Sequence, residues 1–196
     1  MLPAAYALGT FPSAELTAKA SGIDITAVGS GNPGASNVTR ALGWRKGLLV
    51  FAADAAKGAA AAAAGLLVGG SRPDRPAAYA LGAAAIVGHV YPITRSFRGG
   101  KGVATGAGVM VVLHPLVSTG LAGVWLATSQ LAKRASPASI AVIALLPVGL
   151  VATGAPPWEF GATTALCALV MARHAGNLRR LWRGKEPQLS AEPTNS

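Results

Sequence analysis

Long apolar segments separated by short polar ones dominate the chain. The clearest apolar segment, residues 48–69, is long enough to cross the roughly 30 Å hydrocarbon core of a bilayer as a helix. Further apolar segments occupy residues 2–16, 77–91, 103–131, 138–153 and 158–172. This pattern predicts helices that are surrounded by lipid rather than by water.

The segment 103–131 is too long for one ordinary span, and His114-Pro115 near its middle predicts a turn between two short helices. The count is then about seven helices, several of them shorter than the roughly 20 residues of a full crossing. Residues 23–28 alternate between apolar and polar and resemble a short strand. The predicted fold class is all-α, a polytopic membrane helix bundle of about seven transmembrane helices.

The basic residues are distributed unevenly between the predicted loops. With seven spans and the N-terminus outside, only Arg72 and Arg75 fall in outside loops and Lys57 falls within a span, while the other basic residues lie inside. This asymmetry follows the positive-inside rule and predicts a cytoplasmic C-terminus. We expect one integral membrane domain over residues 1–186 and a disordered tail over residues 187–196.

Composition supports a membrane protein, because 52% of the residues are hydrophobic and 12% are charged, against about 25% charged in typical soluble domains. A net charge of +10 would suggest nucleic acid on a soluble protein. Here the basic residues lie between apolar segments, so we expect anionic ligands and membrane lipids as partners and no nucleic acid. The single Cys167 excludes an internal disulfide and a cysteine metal site. The apolar start lacks a basic region, so no cleaved signal peptide is expected.

Three polar, glycine-containing stretches interrupt the apolar pattern: residues 29–40, 95–102 and 173–180. In the first, glycines allow tight turns, Ser30 and Asn32 offer neutral hydrogen-bond donors, and Arg40 adds a fixed cation. A loop of this kind suits an oxyanion, above all a phosphate. All three stretches are basic and fall on the predicted cytoplasmic side, so we interpret them as parts of one anion site.

Two nucleotide-binding interpretations fail on the residues. Gly29 to Gly34 matches the pattern GxGxxG, but Pro33 and more polar residues follow where a Rossmann helix should open. Around Lys101, a P-loop would need glycine at Arg95 and serine or threonine at Gly102. What remains is a glycine turn that presents Lys101 to an anion.

Asp54 and Lys57 lie three residues apart within an apolar segment, on one helical face. Charges inside a span either form a simple pair or face a functional cavity, and the sequence leaves both interpretations open. For His89 a structural hydrogen bond is favoured, whereas for His174, which would share a helical face with Asn177, a functional role is favoured.

These residues carry a family resemblance. The matching motifs are Gly22-Ile23-Asp24-Ile25, residues 29–40, Asp54 with Lys57-Gly58, Gly88-His89 with Pro92, Phe97 with Gly99-Gly100-Lys101-Gly102-Val103-Ala104-Thr105, and Arg173-His174 with Asn177. They resemble the bacterial membrane glycerol-3-phosphate acyltransferases that use acyl phosphate, the PlsY family, from about Pro12 to Glu186. The resemblance implies a seven-helix fold with its active site at the cytoplasmic face of the cell membrane.

The implied reaction transfers a fatty acyl group from acyl phosphate to the 1-hydroxyl of glycerol 3-phosphate, without acyl-CoA, cofactor or metal. Because both substrates are phosphorylated, several cations and backbone N–H groups are needed at the site. Ser30 lacks an obvious partner base, so it suits a phosphate ligand better than a nucleophile. The proton of the attacking hydroxyl could pass to His174 or to a substrate phosphate.

The predicted site residues fall into two groups. For catalysis these are His174, Asn177, Lys101, Ser30 and Arg40. For substrate and phosphate binding they are Gly31, Asn32, Gly34, Asn37, Gly99, Gly100, Gly102, Ser136 and Ser139. A transporter or binding protein for a phosphorylated anion is the alternative, although a transporter would place polar residues deep in several spans.

Overall fold

A computed structural model of the chain describes residues 1–68 and 75–189, and this part of the chain is helical without any strand. The predicted all-α class is therefore confirmed. The helices are α1 (Leu2–Gly9), α2 (Ser13–Lys19), α3 (Ala35–Leu42), α4 (Trp44–Leu66), α5 (Arg75–Val90), α6 (Val103–Leu113), α7 (Pro115–Ala132), α8 (Ala135–Ala152), α9 (Pro157–Ala172) and α10 (Ala175–Trp182), with a 3-10 turn at Ile93–Arg95.

Within the described residues, three helical segments are long and apolar enough to cross a membrane: Trp44–Leu66, Arg75–Arg95 and Ala135–Ala152. Helix α6 is apolar but shorter. The total of about seven spans and the orientation of the termini stay predictions. The predicted polar turn near residue 72 and most of the predicted disordered tail, residues 190–196, lie outside the described residues.

The expectation of a strand at residues 23–28 was wrong. These residues form turns, in which the Asp24 carboxylate accepts hydrogen bonds from the Thr26 backbone N–H at 2.9 Å and the Thr26 hydroxyl at 2.6 Å. The alternation arises because Ile25 is the one fully buried side chain of this segment, in a small core with Val38 and Val50, and the half-buried Val28 packs against the same core. A single buried side chain in a turn mimics the first positions of a half-buried strand.

The first apolar segment, residues 2–16, was predicted as one short candidate span that Pro12-Ser13 could bend, and the chain is broken at that point. It divides into α1 and α2, and Pro12 is the residue immediately before α2. Proline lacks a backbone N–H and is accepted at a helix start but not inside a helix, which explains the break.

The described chain forms two compact units. The N-terminal unit, Met1–Leu113, is built around α4, which packs against α3, α5 and α6. Glycines allow α4 and α6 to cross closely, since a Cβ on Gly58 would lie 2.1 Å from the Thr105 carbonyl oxygen and one on Gly108 would lie 1.9 Å from that of Ala55. Small residues at such crossings are typical of helices in membranes.

The C-terminal unit, His114–Leu189, contains α7 to α10, with α8 packed against both α7 and α9. The predicted turn at His114 is confirmed, because α6 ends at Leu113 and α7 begins at Pro115. His114 Nε2 lies 3.0 Å from the buried Glu159 carboxylate at the start of α9. This contact ties the first residue of the unit to α9.

Candidate functional site

The first polar stretch forms a glycine turn that leads into α3. Gly29 and Gly31 have φ values of 58° and 66°, in the left-handed region that favours glycine. A Cβ on Gly29 would also lie 2.4 Å from the Asn37 side-chain oxygen. Gly34 is the residue before the first turn of α3, whose unbonded backbone N–H groups carry partial positive charge.

Asn37 is the internal scaffold of this turn. Its side chain is 1% exposed, and its Nδ2 donates to the Ile25 and Val28 carbonyl oxygens at 3.1 and 3.0 Å. Its Oδ1 accepts from the Ser30 backbone N–H at 3.0 Å and from Arg40 Nη1 at 3.1 Å. The amide therefore shapes the loop and orients Arg40, so its donors are already used within the protein.

The second polar stretch is a turn seated on the end of α5. The N–H groups of Gly99 and Gly100 donate to the carbonyl oxygens of Val90 and His89, both at 3.1 Å. A Cβ on Gly99 would lie 2.0 Å from the His89 carbonyl oxygen, and one on Gly100 would lie 2.1 Å from His89 Nε2. Only glycine fits this close approach. These two N–H groups hold the turn in place.

The turn leaves Lys101 half-buried at the entrance to α6. Gly102 follows with a φ of 91°, and α6 begins at Val103. The cation thus stands beside a helix N-terminus, an arrangement that favours a bound anion. Upstream, Arg95 forms an ion pair with Glu15 of α2, which anchors the start of the stretch.

The third polar stretch places His174 at the N-cap of α10, with 2% of its surface exposed. Its Nδ1 lies 2.8 Å from the Val170 carbonyl oxygen. Since a carbonyl only accepts, Nδ1 must carry the proton, and Nε2 of the neutral ring is then a proton acceptor. The ring is held in the tautomer that a general base requires.

Glu186, which sequence reasoning did not single out as a site residue, organises the polar side chains of the C-terminal unit. Its Oε1 accepts from Ser136 Oγ and from Asn177 Nδ2, each at 2.6 Å. Its Oε2 accepts from Arg180 Nε at 2.8 Å. Arg134 Nε donates to its backbone carbonyl at 2.9 Å. The carboxylate thus joins the start of α8 to α10.

The environment of Glu186 has opposing effects on its acidity. Burial raises the pKa of the carboxyl, but hydrogen bonds from Ser136, Asn177 and Arg180, with the positive charge of Arg180, hold it below its usual value of 4.5. Glu186 is therefore ionised at neutral pH. Its only sequence signal was its position as the first acidic residue after the basic segment 173–185.

The two predicted serines are both buried. Ser136 is bound to Glu186, and Ser139 Oγ accepts from Trp125 Nε1 at 3.2 Å. Both hydroxyls therefore stabilise the packing of the C-terminal unit, and a substrate contact would have to share them.

The structure brings the predicted site residues together in two groups. The N-terminal unit holds the first two polar stretches, including Ser30, Arg40 and Lys101, while the C-terminal unit holds His174, Asn177 and the serines. That all three stretches form one site stays a prediction. Among the described residues, no group of three or more His, Cys, Asp or Glu side chains could hold a metal ion.

Comparison with known proteins identifies the family. The sequence profile of the glycerol-3-phosphate acyltransferase family matches residues 1–184. The chain is 37% identical to the glycerol-3-phosphate acyltransferase of Geobacter sulfurreducens, with 95% of each chain covered. It is 39% identical to that of Aromatoleum aromaticum, covering 97% of this chain and 96% of the relative.

Solved structures give the same result. A crystal structure of PlsY (YgiH), an integral membrane glycerol 3-phosphate acyltransferase, in its glycerol 3-phosphate form, is similar with a TM-score of 0.88 and 38% identity. It covers 95% of this chain and 92% of that chain. The lysophosphatidic acid form of the same enzyme gives a TM-score of 0.86 at 37% identity.

The fold and the match over nearly the whole chain define an integral membrane acyltransferase. The chain belongs to the glycerol-3-phosphate acyltransferase family of the PlsY type, as its motifs predicted. The alternative of a transporter or a non-catalytic binding protein is thereby replaced by an enzyme.

Proposed function

We propose that this enzyme transfers a fatty acyl group from acyl phosphate to the 1-hydroxyl of sn-glycerol 3-phosphate. The products are 1-acylglycerol 3-phosphate (lysophosphatidic acid) and inorganic phosphate, in the first step of phospholipid synthesis. The hydroxyl oxygen forms the new ester bond, the acyl–phosphate bond breaks, and the hydroxyl proton leaves to a base. The family and the ligands of the solved relatives support the acceptor and the product.

The observation that carries the proposal is a pair of glycine turns in the N-terminal unit. Each turn leads into a helix N-terminus and has a cation associated with it. Lys101 lies on the second turn, whereas Arg40 lies in the last turn of α3 and donates from Nη1 to the Asn37 side-chain oxygen that shapes the first turn. Two phosphorylated substrates repel each other, and this repulsion must be offset by fixed positive charge and backbone dipoles. Two preorganised anion-binding elements meet that need.

In this proposal the remaining predicted residues have distinct roles. Arg40 and Lys101 bind substrate phosphates, with Ser30 and the neighbouring residues Gly31, Asn32 and Gly34 lining the first turn. His174 accepts the proton of the attacking hydroxyl, because its Nδ1 is fixed on Val170 and its Nε2 is left as the acceptor. Asn177 lies on α10, three residues after His174, and is oriented by Glu186.

The direct test is to incubate the purified protein in detergent with glycerol 3-phosphate and either acyl phosphate or acyl-CoA. We expect lysophosphatidic acid and inorganic phosphate with acyl phosphate and no turnover with acyl-CoA, because neither turn carries a nucleotide-binding pattern. Turnover with acyl-CoA alone would contradict the proposed donor while leaving the acyltransferase class intact.

We further propose a bacterial cell membrane location with the site on the cytoplasmic face. The concentration of basic residues in alternate loops supports this orientation. After Cys167→Ser, a cysteine at position 74 should react with a membrane-impermeant maleimide on intact cells, whereas one at position 98 should react only after lysis. Labelling of position 98 but not 74 on intact cells would reverse the orientation.

A further inference from the structure

A buried polar cluster lies behind the 99–102 turn and consists of Ser13, Asp54, Lys57 and His89, none of them more than 6% exposed. Asp54 Oδ1 accepts from Ser13 Oγ at 2.7 Å and lies 2.8 Å from Lys57 Nζ. Lys57 Nζ also donates to the Phe11 carbonyl oxygen at 3.1 Å. The Asp54 carboxylate is therefore held by Ser13 and Lys57, independently of His89.

The imidazole of His89 lies between this carboxylate and the glycine turn. Its Nδ1 is 3.5 Å from Asp54 Oδ1, longer than an ordinary hydrogen bond, and makes no hydrogen bond to any other described residue. On the other edge of the ring, a Cβ on Gly100 would lie 2.1 Å from Nε2 and 2.7 Å from Cε1. The three atoms nearest to that Cβ all belong to this ring.

The same residue also holds the turn through its backbone, since the His89 carbonyl oxygen accepts from the Gly100 N–H at 3.1 Å. One residue thus sets both the hydrogen bonding and the steric limit of Gly100. Lys101 follows directly. The ring edge and the backbone carbonyl of His89 therefore both lie against the residue that precedes Lys101.

A phenyl ring would fill the space of His89 without the cost of burying polar groups. What the imidazole adds is a polar ring edge, whose Nδ1 lies 3.5 Å from a carboxylate that is already held by Ser13 and Lys57. Buried polar networks of this kind specify one arrangement rather than add stability. The element whose arrangement they specify here is the glycine turn.

We propose that His89 is a positioning residue for the 99–102 turn. Asp54 orients the imidazole, the imidazole edge limits the position of Gly100, and the position of Gly100 fixes where Lys101 meets a substrate phosphate. The inference rests on the proposed function, in which Lys101 binds that phosphate.

The first test exploits the close approach of Gly100. The Gly100→Ala variant should push the turn away from the ring and raise, by tenfold or more, the KM of the substrate that Lys101 binds. Adding His89→Ala removes the ring that the new methyl group meets, so the double variant should recover part of that affinity. Gly99→Ala is the matched control. Its Cβ would meet the backbone carbonyl oxygen of His89, which remains in His89→Ala, so the second substitution should not relieve the defect of Gly99→Ala.

The second test measures coupling between His89 and Lys101. We expect His89→Phe to raise about tenfold the KM of the same substrate whose KM rises in Lys101→Ala, with kcat changed less than about twofold. In the Lys101→Ala background the same substitution should change that KM less than about twofold, because the lysine that it positions is gone. His89→Gln, which still presents an N–H, should retain part of the affinity.

The outcomes distinguish the positioning role of His89 from the proposed function. The positioning role would be overturned if His89→Phe raised KM tenfold both with and without Lys101. It would also be overturned if His89→Ala did not relieve the KM defect of Gly100→Ala. In either case, turnover by the wild type would still support the proposed function. A wild-type protein without turnover would overturn both. Should His89→Phe fail to give monodisperse protein, the comparison of Gly100→Ala with and without His89→Ala decides the question.

Discussion

Two buried carboxylates, Asp54 in the N-terminal unit and Glu186 in the C-terminal unit, organise their surroundings in different ways. Asp54 lies within a long apolar helix and forms an ion pair with Lys57, one helical turn away, at 2.8 Å. Glu186 lies beyond the last helix and collects donors from distant parts of the chain, among them Ser136 at 2.6 Å.

The difference indicates what each carboxylate does. Asp54 lies behind the glycine turn that carries Lys101, so changes around it should mainly affect the binding of a phosphorylated substrate. Glu186 holds the α10 helix that begins after His174 and bears Asn177, so changes around it should mainly affect the chemical step. Kinetic constants of variants in the two units should therefore separate, with KM responding in one and kcat in the other.

The largest expected effect is that of His174→Ala. Loss of a general base lowers turnover by about 10²–10⁴-fold, while KM for both substrates should change little. The acidic limb of the pH–rate profile, which reports loss of the base on protonation, should vanish. Steady-state kinetics from pH 5 to 9 measures both.

His174→Gln is the matched variant, because it keeps a polar side chain of similar size but cannot act as a base. If it retains most of the activity with an unchanged pH profile, His174 is not the base. The proton would then pass to a substrate phosphate, and the kinetic contrast between the two units would lose its main support.

The next largest effect concerns stability in the N-terminal unit. Asp54→Leu leaves the buried Lys57 ammonium without its partner carboxylate, which costs roughly 3–5 kcal/mol of folding free energy. The double variant Asp54→Leu with Lys57→Met replaces the pair by apolar side chains of similar length and should recover most of that loss. Thermal unfolding in detergent measures both variants.

Asp24→Asn, which neutralises an exposed carboxylate of the same unit but keeps the side-chain oxygen that accepts from Thr26, is the control and should shift the unfolding midpoint far less than Asp54→Leu. Recovery of stability in the double variant without recovery of KM would sharpen the comparison, because it would separate the fold from the positioning of the turn. A double variant as unstable as Asp54→Leu would show that the carboxylate has other essential partners.

The same two carboxylates show which contacts could be predicted from the sequence and which could not. Asp54 and Lys57 were placed on one helical face because they lie three residues apart, and the ion pair was one of the two interpretations that the sequence left open; the structure shows that they are paired. Apolar segment length likewise located α4, α5 and α8, and the His114-Pro115 turn followed from the chemistry of proline.

Contacts between distant segments were beyond such reasoning. Ser136 and Glu186 are 50 residues apart, and no local pattern connects a serine at the start of α8 to a carboxylate after α10. The hydrogen bonds from Asn37 to the backbone of its own loop were missed for a related reason. The sequence does not show whether the amide of a polar residue in a glycine-rich loop faces a ligand or the protein backbone. At Ile25 the local pattern itself misled, because one buried side chain in a turn resembles a strand.

The smallest expected effect is that of Glu186→Gln, and it depends on pH. The amide cannot accept from Ser136, Asn177 and Arg180 together, so at pH 7 it should destabilise the protein by roughly 1–2 kcal/mol.

Because folding holds the pKa of Glu186 below 4.5, the stability advantage of the wild type over Glu186→Gln is complete above that pH and is lost as the pH falls through the folded-state pKa. Unfolding midpoints of the two proteins should therefore differ at pH 7 and converge as the pH falls below 4.5 and through the folded-state pKa. Ser136→Ala, which removes one donor and keeps the carboxylate, should be milder at pH 7 and retain the pH dependence. A difference between wild type and Glu186→Gln that stays constant as the pH is lowered from 7 until the carboxylate is protonated would show that the charge of Glu186 contributes nothing and that only its shape matters.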